Sequence, residues 1–258
     1  MSRCQSPVLR FLLVLLGMGC LLGGGTVDAS GASRSSLEQE LERVVSGPED
    51  RIALADTLLF ISQKWEPGLD PEPLREKLDR LTEAVDQKIT PSSSPDELVR
   101  ALTDTLHGEF GYRYTESVDA QGIPKNPDEL FLHGLLQTGR GYCMNLSLLY
   151  LIVAERLDLP LYGVPLPNHF FVRYDDGTTQ INIEATEKGA LYPDRFYRER
   201  FNVPESSSYF MNNLGPRGTL GAYFSNVGMV YYRNQKPEEA VLYLQASTSI
   251  NSHSLEAH

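Results

Sequence analysis

Cysteine is scarce in this 258-residue chain, with three residues at Cys4, Cys20 and Cys143. No paired-cysteine or histidine spacing of the metal-binding kind occurs, and His107 and His133 stand apart from other ligand types, so neither a metal nor another cofactor is expected. Basic blocks are missing too. Lysine and arginine total 23 against 34 acidic residues, the net charge is -11 and the pI is about 4.9. That balance excludes a protein that tracks a phosphate backbone, so nucleic acid is not an expected partner. The N-terminal apolar run FLLVLLGMGCLL is too short to span a bilayer.

That run fits a targeting segment instead. Arg3 and Arg10 precede it, and GGGTVDAS follows with Val27 and Ala29 at the two cleavage-recognition positions. An n-region, an h-region and a small-residue site make a signal peptide over residues 1–29. The arginines are not adjacent, which excludes a twin-arginine signal. Cys20 follows Gly-Met-Gly, with Gly17 where a lipoprotein box usually has Leu. Simple export to the periplasm or the outside is therefore expected, and a membrane anchor only if Cys20 is lipidated. Cleavage removes Cys4 and Cys20 and leaves Cys143 as the only thiol, with no partner for an internal disulfide. Composition alone favours a buried core thiol.

Four pieces follow the signal. Residues 30–95 comprise a polar linker and helices, with a capping box expected from Ser36 to Gln39. Leu37, Leu41, Val44 and Val45 make the first apolar stripe. Ile52, Ala55, Leu58 and Leu59 make a second after Pro48, and Leu74, Leu78, Leu81 and Val85 a third. Residues 96–215 form the chemical domain. It opens on a second capping box, Ser94 to Glu97, before Leu98, Leu102 and Leu106. Asn126 and Pro127 start another helix that Gly139 stops. A three-residue turn then delivers Cys143 to the start of an apolar helix reaching Leu157. Three strands follow, LYGVPL, HFFVRY and QINIEA.

Asp176-Gly177 favours a two-residue type I′ turn between the last two strands. That register sets His169 opposite Glu184, Phe171 opposite Asn182 and Val172 opposite Ile181. Strand alternation then gives Phe170, Val172, Ile181 and Ile183 one apolar face. His169, Arg173, Gln180, Asn182 and Glu184 share the other. A carboxylate on one imidazole nitrogen fixes the tautomer and raises basicity at the other. At a helix start, free backbone N–H groups and the dipole favour thiolate over thiol, and the same amides suit an oxyanion. Cys143 as nucleophile, His169 as base and Glu184 as orienter is the logic of a triad. Gln137, six residues before Cys143, has the spacing of an oxyanion glutamine, or is a solvated helix end. Asn145 and Asn182 are supporting candidates, Asn145 as a bond to the turn. YPDRFYRERF, residues 192–201, either covers the cleft or is a surface loop with aromatic anchors.

The stretch RGYCMNLSLLYLIVAERLDLPLYGVPLPNHFFVRY, with NIEATEKG after it, resembles the transglutaminase-like superfamily, in its bacterial branch joined to tetratricopeptide repeats. LREKLDRLTEAVDQKI resembles the lead-in helices of that branch. The resemblance implies an α+β, papain-like fold and a Cys-His-Asp triad carried by Cys143, His169 and Glu184. Here EAT stands where Asp-Pro-Thr is common, so the orienter is one methylene longer. Residues 216–258 match a tetratricopeptide repeat at Phe224, Val227, Gly228, Tyr231, Ala240 and Leu244, and depart from it at Ser247 and Ser252. One repeat cannot bury its own apolar face, so the expectation is a chain cut short, with further repeats that bind a protein partner. The implied activity is acyl transfer or hydrolysis at peptide or amide bonds. The alternative is an exported scaffold whose triad is vestigial.

Overall fold

The computed structural model describes residues 35–117 and 124–252. The signal peptide expected over residues 1–29, with Cys4 and Cys20, lies outside the described residues.

Four helices come first: α1 (Ser36–Ser46), α2 (Leu54–Trp65), α3 (Glu72–Asp86) and α4 (Pro95–Thr103). The capping box of α1 runs from Ser35 to Glu38, one residue earlier than the Ser36–Gln39 expected. Its cause is chemical. The Glu38 carboxylate accepts from the Ser35 backbone N–H at 2.7 Å, a charge-assisted bond that a Gln39 amide cannot equal. The Ser94–Glu97 box of α4 forms as read. Past Pro48 the chain makes a short 3₁₀ turn, Glu49–Arg51, before α2 begins. Leu102 and Leu106 are buried as expected, while Leu98 sits at the rim and Val99 takes the buried position. Val99, Leu102 and Leu106 fall at i, i+3 and i+7 on one helical face, and a π-helical turn over Asp104–Glu109 continues α4.

The helix expected from Asn126 divides in two. Asn126 caps a 3₁₀ turn over Pro127–Leu130, extended backbone at Phe131 interrupts it, and α5 (Leu132–Thr138) follows. Gly139, at φ +70°, ends α5 in the left-handed conformation. Two short strands, β1 (Arg113–Tyr114) and β2 (Arg140–Gly141), pair in parallel. Helix α6 (Cys143–Arg156) begins two residues beyond β2.

The main sheet is antiparallel in chain order: β3 (Leu161–Leu166), β4 (His169–Asp175), β5 (Gln180–Glu184) and β6 (Ala190–Leu191). Pro167 and Asn168 make the two-residue link from β3 to β4. Asn168 takes φ +58°, as the third residue of a type II turn does, and His169 becomes the first residue of β4. The β4–β5 register differs from expectation by two residues. Asp175 pairs with Gln180, Arg173 with Asn182 and Val172 with Ile183. A four-residue loop replaces the two-residue turn because the Asp176 carboxylate accepts from Thr178 N–H, Thr178 Oγ1 and Thr179 N–H. Gly177, at φ +84°, sits inside that loop.

Both faces of the sheet are covered. Phe170, Val172, Tyr174 and Ile183 join α6 and the N-terminal helices in the main core. The opposite face, expected to carry His169, Arg173, Gln180, Asn182 and Glu184, also holds an apolar cluster. Val164, Leu166 and Phe171 pack there under Tyr197 of helix α7 (Asp194–Arg200) and Met211. Helices α8 (Pro216–Arg233) and α9 (Pro237–Ile250) form a hairpin, and their buried Phe224, Tyr231 and Tyr243 belong to the main core. Among the described residues no helix is long and apolar enough to cross a membrane.

Candidate functional site

The turn before Cys143 is held by one side chain. Asn145 Oδ1 accepts from Tyr142 N–H at 2.7 Å, and its Nδ2 donates to the carbonyls of Glu129 and Phe131. Gly141 is required there, since a Cβ would lie 2.7 Å from Asn145 Oδ1 and 2.8 Å from Leu135 Cδ1. These contacts fix where α6 starts. Cys143 is its first residue, so the backbone N–H groups of that first turn have no carbonyl partner within the helix. The thiol is unpaired and 6% exposed.

His169 meets both partners. Its Nε2 lies 2.8 Å from Glu184 Oε2. An ionised carboxylate can only accept, so Nε2 carries the proton and Nδ1 is left for the sulfur. The other Glu184 oxygen accepts from Thr186 N–H and Thr186 Oγ1. Burial alone would lower the His169 pKa. Hydrogen bonds and charge from Cys143 and Glu184 outweigh it and push the value up to about 9. Burial works against the Glu184 carboxylate too, yet the bond and charge of His169, with the Thr186 donors, hold its pKa below the ordinary value. The ring of His169 also lies flat on Phe201, with centroids 4.5 Å apart and planes 2° from parallel.

The structure sets Glu184 in hydrogen bond with His169 and Cys143 close enough to act on the imidazole, by a different register from the one expected. It does not bring in the other candidates. Gln137 is exposed on the last turn of α5 and bonds to none of the three. Asn182 serves Arg173 instead of the imidazole. Its Oδ1 accepts from Arg173 Nε at 2.7 Å, and its Nδ2 donates to Tyr192 O and Asp194 Oδ1. His107 bonds the Tyr112 carbonyl through Nδ1, and His133 lies buried beside Glu66.

Two residues near the site carry no assigned role in the sequence reading, although Arg173 shares the face of His169 there and Phe201 ends the 192–201 segment read as a cleft cover or a surface loop. Arg173 is 4% exposed and donates to Asn182, Asp194, Asn213 and the Met211 carbonyl. Phe201 ends α7 against the imidazole. The spacing of Tyr197 and Phe201, one helical turn apart, was the available signal for a shared face. Tyr114 of β1 is a third neighbour, half-buried with its ring 5.9 Å from that of Tyr142. Burial first, and then the charge of Cys143, raise its pKa.

The transglutaminase-like superfamily model matches residues 72–207, a span that holds Cys143, His169 and Glu184. Protein SirB1 of Salmonella typhimurium is 27% identical over 122 residues, 47% of this chain and 44% of that protein. A UPF0162 protein of Pseudomonas aeruginosa is 27% identical over 142 residues, 55% of this chain and 50% of that one. The chain thus spans about half the length of these curated relatives. F-box only protein 21 of Mus musculus is 29% identical over 98 residues, 38% of this chain and 15% of its own. No solved structure gives a significant match.

Proposed function

Since the chain belongs to the transglutaminase-like superfamily, we propose that it is a thiol-dependent acyl-transfer enzyme, with Cys143 as nucleophile, His169 as base and Glu184 as its orienter. The observation that carries this reading is the bond from His169 Nε2 to Glu184 Oε2, which leaves Nδ1 to take the thiol proton. Once the thiol proton has passed to His169 Nδ1, where the raised imidazole pKa holds it, the Cys143 sulfur forms a bond to an amide carbonyl carbon. Negative charge develops on the carbonyl oxygen beside the free N–H groups at the start of α6. Collapse breaks the carbon–nitrogen bond, and the imidazolium gives its proton to the leaving amine. Water or a second amine then attacks the thioester and gives a proton to His169 Nδ1, the carbon–sulfur bond breaks and that proton returns to the Cys143–His169 pair, so hydrolysis and cross-linking share every residue named.

Export after cleavage at Ala29, and capture of a protein partner by repeats that begin at α8, complete the reading. The hairpin of α8 and α9 supports the second point. Gly228 lets the two helices approach, since a Cβ there would lie 2.7 Å from Leu244 Cγ and 3.2 Å from Ala240 O.

The test is alkylation of Cys143 by iodoacetamide. The parent should label rapidly below pH 8, and H169A should lose that fast reaction. Equal, slow labelling of the two proteins would remove the enzyme reading and leave the vestigial scaffold.

A further inference from the structure

A hydrogen bond at Nε2 restrains the His169 ring incompletely. The ring turns about its Cβ–Cγ bond, and Nε2 and Cε1 straddle that axis at the far end. A twist therefore moves Nε2 less than Nδ1, which swings further out of plane, away from the sulfur. Something else must fix the plane if Nδ1 is to accept the thiol proton. The flat contact with Phe201 is placed to do so, with ring centroids 4.5 Å apart and planes 2° from parallel.

Phe201 is itself held. It follows α7 directly, and its N–H donates to the Tyr197 carbonyl. Tyr197 is fully buried and stacks on Phe171 of β4 at 4.0 Å, 11° from parallel. Phe171 lies two residues from His169 on the same strand, so α7 is registered against the strand that carries the base. Arg173, two residues further on, bonds Asp194 at the start of α7 at 3.0 Å. The chain after Phe201 is tied down as well, because Arg173 donates to the Met211 carbonyl and to Asn213. The Arg200 guanidinium lies 5.8 Å from the Phe201 centroid.

We infer that Phe201 is a positioning residue for the Cys143–His169 pair: its ring sets the imidazole plane so that Nδ1 faces the sulfur. The aromatic face also keeps water off one side of the ring and favours its cationic form. This inference rests on the proposed function, because it assigns Phe201 to the same pair.

The experiment compares iodoacetamide alkylation rates across pH 5 to 10 for the parent, H169A, F201L, F201M, F201Y and F196L. F201L and F201M should each slow labelling at neutral pH by about ten- to a hundred-fold, the loss expected when a reacting atom is misplaced by about 1 Å. Their pH profiles should move toward that of an ordinary thiol. F201Y keeps the ring and should restore the parental rate and profile. Phe196 stacks on Tyr192 and not on His169, so F196L should keep parental kinetics. Parental rates in F201L or F201M beside a slow H169A would overturn the role of Phe201 and leave the proposed function standing. Loss of the fast rate in F201Y to the same degree would overturn it too. A parental rate in H169A would overturn the function itself.

Discussion

Replacing Glu184 by Gln tests the site at its most constrained point. The carboxylate side chain is 3% exposed, and each oxygen has a fixed duty. Oε2 accepts from His169 Nε2 at 2.8 Å, and Oε1 accepts from Thr186 N–H at 3.0 Å. An amide cannot do both. The Thr186 backbone donor is obligatory, so the Gln oxygen turns toward Thr186 and the NH₂ group faces His169. Nε2 must then accept, and the imidazole proton moves to Nδ1, against the sulfur. That is the wrong tautomer for a base. Charge is lost as well. Glu184 is one of two groups raising the His169 pKa to about 9. Removing it should lower that value. Together the tautomer change and the lost charge predict roughly a ten- to hundred-fold fall in Cys143 alkylation at pH 7. E184D keeps the charge but withdraws it by about 1.5 Å, one carbon–carbon bond, and should lie between the two. The assay is the pH profile of iodoacetamide labelling, beside a thermal melt of each variant. An E184Q profile superimposable on that of the parent would refute the orienting role.

Stability should depend on the same pair. His169 has a folded pKa of about 9 against an ordinary 6.5. A raised pKa stabilises fully below the unfolded value and is lost as pH rises through the folded one. Denaturant midpoints should therefore decline between about pH 6.5 and 9, by up to about 3 kcal/mol, and H169N should flatten that decline. R173M leaves Asn182 and the Met211 carbonyl without their buried donor, while the half-exposed Asp194 turns to water, and should cost about 1–3 kcal/mol in a denaturation experiment. G134A sets a Cβ 2.0 Å from the Asp128 carbonyl oxygen, a backbone atom that cannot step aside. It should destabilise by about 1–3 kcal/mol or more, read as a lowered melting midpoint.

The elements that could be read from sequence are those whose signals lie within a few residues. The stripe of Leu74, Leu78, Leu81 and Val85 is buried on α3, and Gly139 stops α5 in the left-handed conformation. Cys143 stands at the start of α6 because Gly141 and Asn145 lie beside it in sequence. What escaped reading depends on distant partners. The two-residue strands β1, β2 and β6 are too short to show alternation. Arg173 could be placed on the face of His169, but its partners could not be read, because Asp194, Met211 and Asn213 are loop or helix-end residues up to 40 positions away. Phe201 reaches His169 across 32 positions of sequence, and no local pattern reports that contact.

The strand register explains why a pairing slipped by two residues still keeps His169 and Glu184 on one face. Side chains alternate with a period of two, so a slip of two residues returns each to its own face, where a slip of one would exchange the faces. Val172 faces Ile183 instead of Ile181, and the apolar set remains inward. Carried along the strands, the same register sets Glu184 opposite Phe171 and diagonal to His169. Directly opposed Cβ atoms lie about 4.5–5.5 Å apart, and diagonal neighbours about 7–8 Å. An aspartate has one methylene fewer with which to cross the wider gap. Glutamate spans it, and its carboxylate still lies 2.8 Å from the imidazole with the second oxygen free for Thr186. The extra methylene that looks like a departure from the family pattern is thus what the diagonal placement of His169 and Glu184 calls for.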